Sequence, residues 1–368
     1  TFANPGGSVI TVTATDPLNN TSEFSNCTAT GPGPPATLVL TPPADTNPVG
    51  TQHCVTATVR DAAGNPTPGV VVRFQVSGAN TAGGSATTNA SGEAVFCYTG
   101  TNAGEDTIRA YADTDNDNTQ DPTEPFGSAL KTWTPGAPAT LTLDPKTSTN
   151  PVDSKHCVTA TVKDAFGNPV PGVKVRFAVS GSVNTTGTAT TGQDGTATFC
   201  YTGPPLPGAD VIRAYADTNG NNTQDPGEPA DVASKTWVLP VTTPGCEITI
   251  TNGGWIIANN GDRASFGGNA KADADGNVTG NEEYQDHGPA QPFNLKGNVL
   301  VVVCGADGKS ATIFGEATID GSGSQIYRID VRDLGEPGQG SDTYRMRWGT
   351  YDSGDKVLQG GNIQVRRG

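Results

Sequence analysis

Two stretches of this chain carry oxygen-bearing side chains at a spacing suited to a metal ion. The first, DTDNDNTQDPTE, puts Asp113, Asp115, Asp117, Thr119, Asp121 and Glu124 at positions 1, 3, 5, 7, 9 and 12 of a twelve-residue loop. The second, DTNGNNTQDPGE, offers Asp217, Asn219, Asn221, Thr223, Asp225 and Glu228 in the same places. Calcium is a hard cation that takes about 6–8 oxygen ligands, and a short acidic loop wrapped on itself supplies them. A solvated acidic turn explains the composition of either stretch, but not one spacing written twice. The expected cofactor is Ca2+.

The spacing is that of the EF-hand loop, with two departures. Position 6, usually glycine, is Asn118 or Asn222, and the flanking segments read as strands instead of helices. Asparagine tolerates the left-handed backbone better than most residues, so the turn remains feasible. A third acidic turn, Asp273-Ala-Asp275-Gly-Asn277, lacks the later ligands and reads as a hairpin.

Other reactive groupings are weaker. His53 and His156 each precede a cysteine, but adjacent strand residues point to opposite faces. Glu282, Glu283, Asp286 and His287 offer a carboxylate pair or a metal site, against the commoner polar surface loop. Trp255, Tyr284 and Trp348 offer a sugar-stacking platform, against the commoner burial of such rings in small β domains. No catalytic constellation stands out, and the chain reads as a non-enzyme.

Six of the seven cysteines pair by region. Cys54 and Cys97 are 43 positions apart, as are Cys157 and Cys200, while Cys246 and Cys304 share the C-terminal part. With no C-x-x-C pair, disulfides in an oxidising, extracellular setting are expected over zinc. In CVTATV the apolar set is Val55, Ala57 and Val59, and in EAVFCY it is Ala94, Phe96 and Tyr98. Both Cys54 and Cys97 thus fall on the outer face; on neighbouring strands they would form a surface staple. Cys27 has no partner in this scheme.

These residues must be positioned by strands. The segment from Pro35, PATLVLTPPADTNPVGTQHCVTATVRDAAGNPTPGVVVRFQVSG, returns in close copy from Pro138. Within the first copy, alternation marks seven strands: ATLVL, CVTATV, VVVRFQV, SATT, EAVFCY, TIRAYA and ALKTW. Seven short strands in about a hundred residues fit an Ig-like sandwich. After Pro240 a different set of alternating segments, among them CEITITNGGWI, NVLVVVC and GGNIQVRR, implies a β-sandwich or small β-barrel.

The motif V-x-D-x-x-G-N-P-x-P-G-V-x-V-x-F, at Val59–Phe74 and Val162–Phe177, resembles the bacterial Ig-like domains of invasin/intimin-type surface proteins. That resemblance implies rigid rods holding an adhesive tip away from a cell. The family commonly lacks the cysteine pair, so the staple is a departure. The C-terminal segment resembles the post-COAP domain of secreted bacterial proteins through its GGW, FGGNA, YQDHGP and GGNIQ steps. No established activity follows from that likeness.

The expected organisation is all-β. Residues 1–33 form the terminal hairpin of an upstream Ig-like domain, or donor strands for a neighbour. Ig-like domains at 34–136 and 137–239 follow, then a β domain at 240–368. The chain starts at Thr1, as a processed product or a segment of something longer would. Abundant Gly (48) and Pro (28) with only 16% charged residues favour strands and turns. A net charge of −15 suits neither nucleic acid nor anionic lipid, and no run is apolar enough for membrane insertion. The expected role is a secreted or cell-surface adhesive stalk, stiffened by calcium and disulfides, whose partner is a protein or a glycan. The alternatives are self-association into a filament and carbohydrate binding through residues 244–368.

Overall fold

A computed structural model describes residues 9–10, 13–22, 28–29, 31–242 and 245–368. Every regular element among them is a strand. Strands β1 (Val9–Ile10) and β2 (Thr28–Ala29) pair antiparallel across a turn in which Asp16 Oδ1 accepts the Leu18 and Asn20 N–H groups. Cys27 lies outside the described residues.

The first sandwich runs β3 (Pro35–Thr41), β4 (Ala44–Pro48), β5 (Gln52–Asp61), β6 (Val71–Gly78), β7 (Ala82–Thr87), β8 (Glu93–Thr99), β9 (Gly104–Asp113) and β10 (Phe126–Thr134). A sheet β3-β5-β8 faces a sheet β4-β10-β9-β6-β7. Strict period-2 alternation builds the core: Val55, Ala57 and Val59 from one sheet meet Val72, Phe74, Val76, Ile108 and Ala110 from the other. Trp133 lies flat over Gly100, where a Cβ would stand 2.5 Å from the indole. Its Nε1 donates to buried Asp106 at 2.8 Å, and Tyr98 OH donates to the same carboxylate at 3.1 Å. The buried charge is thereby hydrogen-bonded.

The second sandwich repeats this design. Its strands are β11 (Thr140–Asp144), β12 (Thr147–Pro151), β13 (Lys155–Lys163), β14 (Lys174–Gly181), β15 (Thr185–Thr190), β16 (Thr196–Thr202), β17 (Gly208–Asp217) and β18 (Ala230–Val238). They order as β11-β13-β16 and β12-β18-β17-β14-β15. Alternation in the sequence finds seven strands per unit, yet each sandwich has eight. The extra ones, β4 and β12, run parallel to the last strand of their own domain.

The C-terminal part is one curled sheet, β26 (Tyr351–Asp352), β25 (Thr343–Trp348), β24 (Ser322–Arg332), β23 (Ser310–Ile319), β22 (Phe293–Cys304), β21 (Val278–Asp286), β20 (Arg263–Ala272), β19 (Ile248–Ile257) and β28 (Gly360–Arg367). The short β27 (Lys356–Val357) pairs with β25 off this path. Carboxylates bridge the gap between its edges: Asp333 accepts the Val365 N–H at 3.0 Å and Asp342 accepts that of Ile363 at 2.9 Å. Side chains do there what a strand ladder does elsewhere.

Successive domains touch through named groups. Asp164 Oδ2 accepts the linker N–H of Gly136 at 2.8 Å. Asn168 accepts the Ala103 N–H at 2.9 Å and donates to Thr101 O at 2.8 Å, both in the first sandwich. At the next junction Arg328 meets Asp153 and Pro205 O, and Val301 and Phe314 join the second domain's core.

Candidate metal centres

Each acidic loop joins the two longest strands of its sheet, β9 to β10 and β17 to β18. The strands hold the loop ends in register, so the position-1 carboxylate is fixed at a strand terminus. The Asp113 and Asp217 side chains are wholly buried. In the first loop Oδ2 of Asp113 accepts Arg73 Nε at 2.7 Å and the Asn118 N–H at 3.3 Å. In the second, Oδ2 of Asp217 accepts Arg176 Nε at 2.6 Å. The other oxygen, Oδ1, has no hydrogen-bond partner among the described residues in either copy.

An orphaned, buried carboxylate oxygen is costly, because it has shed its water and gained nothing in return. Two of them at equivalent positions, both beside acidic loops, fit a cation. Asp113, Asp115 and Asp117 bring carboxylate oxygens within 4.8 Å of one another. Left-handed residues make this convergence possible: Asn116 and Asn118 have φ of 66° and 67°, and Gly220 and Asn222 have 75° and 69°. The asparagines at position 6 thus take the conformation usually reserved for glycine.

The remaining positions behave differently. Glu124 turns its oxygens to the backbone, accepting Thr114 N–H at 2.6 Å and Asp121 N–H at 3.1 Å; Glu228 does the same with Thr218 and Asp225. Position 12 is thus a clasp that closes the loop, with lone pairs left over for an ion. Thr119 donates its hydroxyl to Asp117, and Thr223 to Asn221. In the second loop the Asn219 and Asn221 amides both donate to Asp225.

Charge crowding bears most on Asp121. Partial desolvation, then the neighbouring charges of Asp115, Asp117 and Glu124, hold Asp121 above the usual carboxylate range. Burial pushes Asp113 upward, but the Arg73 guanidinium and loop N–H groups outweigh it and keep the group ionised. The Arg176 bond likewise lowers Asp217.

The cysteines sit apart from these loops. Cys54 is directly opposite Cys97 on β5 and β8, with S–S 2.08 Å, and Cys157 is opposite Cys200 on β13 and β16 at 2.07 Å. Cys54, Cys97 and Cys157 are exposed, and Cys200 is half-buried. Cys246 and Cys304 are joined at 2.10 Å in the C-terminal domain.

The C-terminal groupings do not assemble. Strand alternation sends Glu282 and Asp286 inward and Glu283 outward. Glu282 is fully buried, hydrogen-bonded to Asn252 Nδ2 at 3.0 and 3.1 Å, and its pKa is pushed up to about 8 by burial. Asp286 accepts Tyr351 OH at 2.9 Å and the Asn260 amide at 3.0 Å, while exposed His287 pairs with Ser265. Tyr284 is a core residue, Trp348 packs edge-on to Phe293, and Trp255 lies under Arg263. No shared aromatic platform forms among them. In the Asp273 turn the carboxylate accepts its own loop N–H groups, as a simple hairpin requires.

One functional set escapes a search for ligands. Asp61 and Asp164 open the G-N-P turns and fasten the linker glycines, Gly33 and Gly136. The signal was the motif itself, spelled identically at D-A-x-G-N-P in both copies.

A family model described as Bacterial Ig-like domain (group 1) matches residues 49–124 and 139–225. The two matched stretches fall one on each sandwich. A stretch of 176 residues is 32% identical to the inverse autotransporter adhesin YeeJ of Escherichia coli (strain K12). It covers 46% of this chain but only 7% of that protein's length. Among solved structures, the Escherichia coli adhesin FdeC is 16% identical, with a TM-score of 0.39 over 90% of this chain and 98% of that one. Yersinia pseudotuberculosis InvD is also 16% identical, with a TM-score of 0.35 over 89% and 96%. These overlays are loose, and the fold rests on the sheets described above.

Proposed function

We propose that this chain is part of a surface-exposed adhesive stalk, in which calcium and disulfides stiffen tandem Ig-like domains that carry the C-terminal β domain. The observation that carries the stalk reading is the repeated strap, Asp61 to Gly33 and Asp164 to Gly136, reinforced by Asn168 reaching back to the first sandwich. A strap of this kind limits hinge motion between neighbours, which a spacer needs and a free-standing globular module does not. The relative named as an adhesin supports the same reading, and so does the net charge of −15, which suits divalent cations better than polyanions. Likeness of the C-terminal part to the post-COAP domain belongs to this proposal too. The partner at the far end is a surface protein or glycan.

Calcium is supported by the orphaned Oδ1 atoms of Asp113 and Asp217. Asp113, Asp115 and Asp117 would hold the ion in the first loop, with Asp121 and Glu124 behind them. Asp217, Asn219, Asn221 and Asp225 would do so in the second, with Glu228 closing the loop. The ion would neutralise the crowded carboxylates and brace the loop joining β9 to β10 or β17 to β18. Calorimetry of the whole chain with calcium and with chelator tests this. The expected result is a higher melting temperature with calcium, by mass action on the folded state. The first domain should lose more on chelation, because its loop carries more acids. Asp113→Ala should reproduce that loss in the first domain only; identical melting with and without calcium would refute the site.

A further inference from the structure

Each sandwich buries a lysine in the middle of its last strand. Lys131 of β10 is 0% exposed and Lys235 of β18 is 1% exposed. An ammonium out of water is unfavourable unless it is paired or chemically changed. Lys131 Nζ is held against Asn47 Oδ1 and lies 3.0 Å from Asp45 Oδ2, beneath the Trp133 ring at 4.7 Å. Asp45 and Asn47 share the inward face of β4, the parallel neighbour of β10, with Asp45 in register with Lys131. His53 Nδ1 holds the same Asp45 oxygen at 3.0 Å and fixes the carboxylate in place.

We infer that Lys131 and Asn47 form an intramolecular amide cross-link, with Asp45 as the proton-transfer group. The residue types are those the reaction needs: an amine nucleophile that is itself out of water, a carboxamide electrophile and a carboxyl group touching the amine. Asp45 takes a proton from the Lys131 ammonium, and the freed Nζ attacks Asn47 Cγ. The protonated Asp45 hydrogen-bonds the developing oxyanion and then hands its proton to the departing nitrogen. The Cγ–Nδ2 bond breaks, the Nζ–Cγ bond remains, and the second amine proton leaves with the ammonia. In sum, Lys131–NH3+ and Asn47–CONH2 give Lys131–NH–CO–Asn47 and ammonium, with no oxidant or cofactor. The product replaces a buried charge by a neutral amide. Asn47 and Asp45 are half-buried on an edge strand, so ammonia has a way out.

The second domain is an internal control. Lys235 Nζ lies 2.7 Å from Asn150 Oδ1 beside Trp237, so amine and amide are both present. The residue in register with Lys235 is Ser148, which has no carboxyl group to move a proton. That pair is expected to remain a hydrogen bond. In the first domain the cross-link joins residues 84 positions apart and closes almost the whole sandwich. Tension along the chain pulls β4 and β10 past one another, and a covalent bond between them blocks that route to unfolding.

Intact mass of the whole chain, reduced and denatured, tests the inference. The expected mass is lower than the sequence mass by one ammonia, carried by a branched tryptic peptide that joins the Asn47 and Lys131 segments, uncut after Lys131. Asp45→Ser, which copies the second domain and leaves the core intact, should restore the full mass. The full sequence mass in the wild type would overturn the proposal. So would loss of a water, which would place the bond on Asp45, or an ammonia lost from another asparagine. Retention of the cross-link in Asp45→Ser would overturn the role of Asp45.

Discussion

Glu282 faces the interior of the curled sheet, where Gly268 makes room for it: a Cβ there would stand 2.3 Å from its carboxylate. Among the described residues Asn252 is its one hydrogen-bonding neighbour, donating through Nδ2. Burial raises its pKa from 4.5 to about 8, so the folded domain binds a proton more tightly than the unfolded chain. Between those two values the native state carries the extra proton, and stability must fall as pH rises; below 4.5 the carboxyl is protonated in both states and the term vanishes. Glu282→Gln keeps the shape and the hydrogen-bonding oxygen but removes the titration. At pH 8 it should stabilise the C-terminal domain by a few kcal/mol, on the order of 2–4. Its melting temperature should also lose most of its slope with pH between 5 and 8, on the order of one proton's worth. Equal slopes in the two proteins, measured by calorimetry, would rule out Glu282 as the source.

At the scale of elements, legibility follows from how local the signal is. The acidic loops and the cysteine faces were readable because a twelve-residue spacing and a period of two are local patterns. Strands β4 and β12 were not, because ADTNP and TSTNP are polar, lie among prolines and pair in parallel with strands more than 80 residues away. Lys131 was hidden for a related reason. In ALKTW the inward phase is Ala129, Lys131 and Trp133, while Leu130 is 58% exposed, so hydrophobicity contradicts the true register. The clasping role of Glu124 was equally out of reach, since sequence spacing does not distinguish a ligand from an acceptor of backbone N–H groups.

The staples belong to the same scale. Cys54–Cys97 lies on the outside of the β5–β8 pair and leaves Val55 and Ala57 to pack undisturbed. Its contribution therefore comes from restricting the unfolded chain across a separation of 43 residues. The double variant Cys54→Ala/Cys97→Ala should keep the native sheet and lose about 2–4 kcal/mol in denaturant unfolding of the first domain. Loss of the fold itself would mean that the bond organises the sheet, contrary to its position on the surface.

For the whole molecule the question is what fixes one domain against the next. Gly136 leads into the second sandwich, and Asp164 grips its N–H while also capping its own turn through the Phe166 and Asn168 N–H groups. Asn168 then spans the joint to Thr101 and Ala103, and the Phe166 ring closes on Gly50. A Cβ at Gly50 would sit 2.6 Å from that ring, so the upstream residue must stay small for the surfaces to meet. None of these groups lies in either core, so the angle between domains and the stability of each domain are separable. Asn168→Ala removes two hydrogen bonds across the joint, each worth about 0.5–1.5 kcal/mol, together with the Nδ2 bond to Asp164 in its own turn, whose carboxylate keeps its backbone N–H donors. Small-angle scattering of the variant should show a shorter mean maximum dimension and a broader distance distribution than the parent. Calorimetry should show nearly unchanged melting of both sandwiches. If scattering is unchanged, the proline-containing linker alone sets the angle; if melting drops sharply, Asn168 serves its own turn and the joint has another source of stiffness.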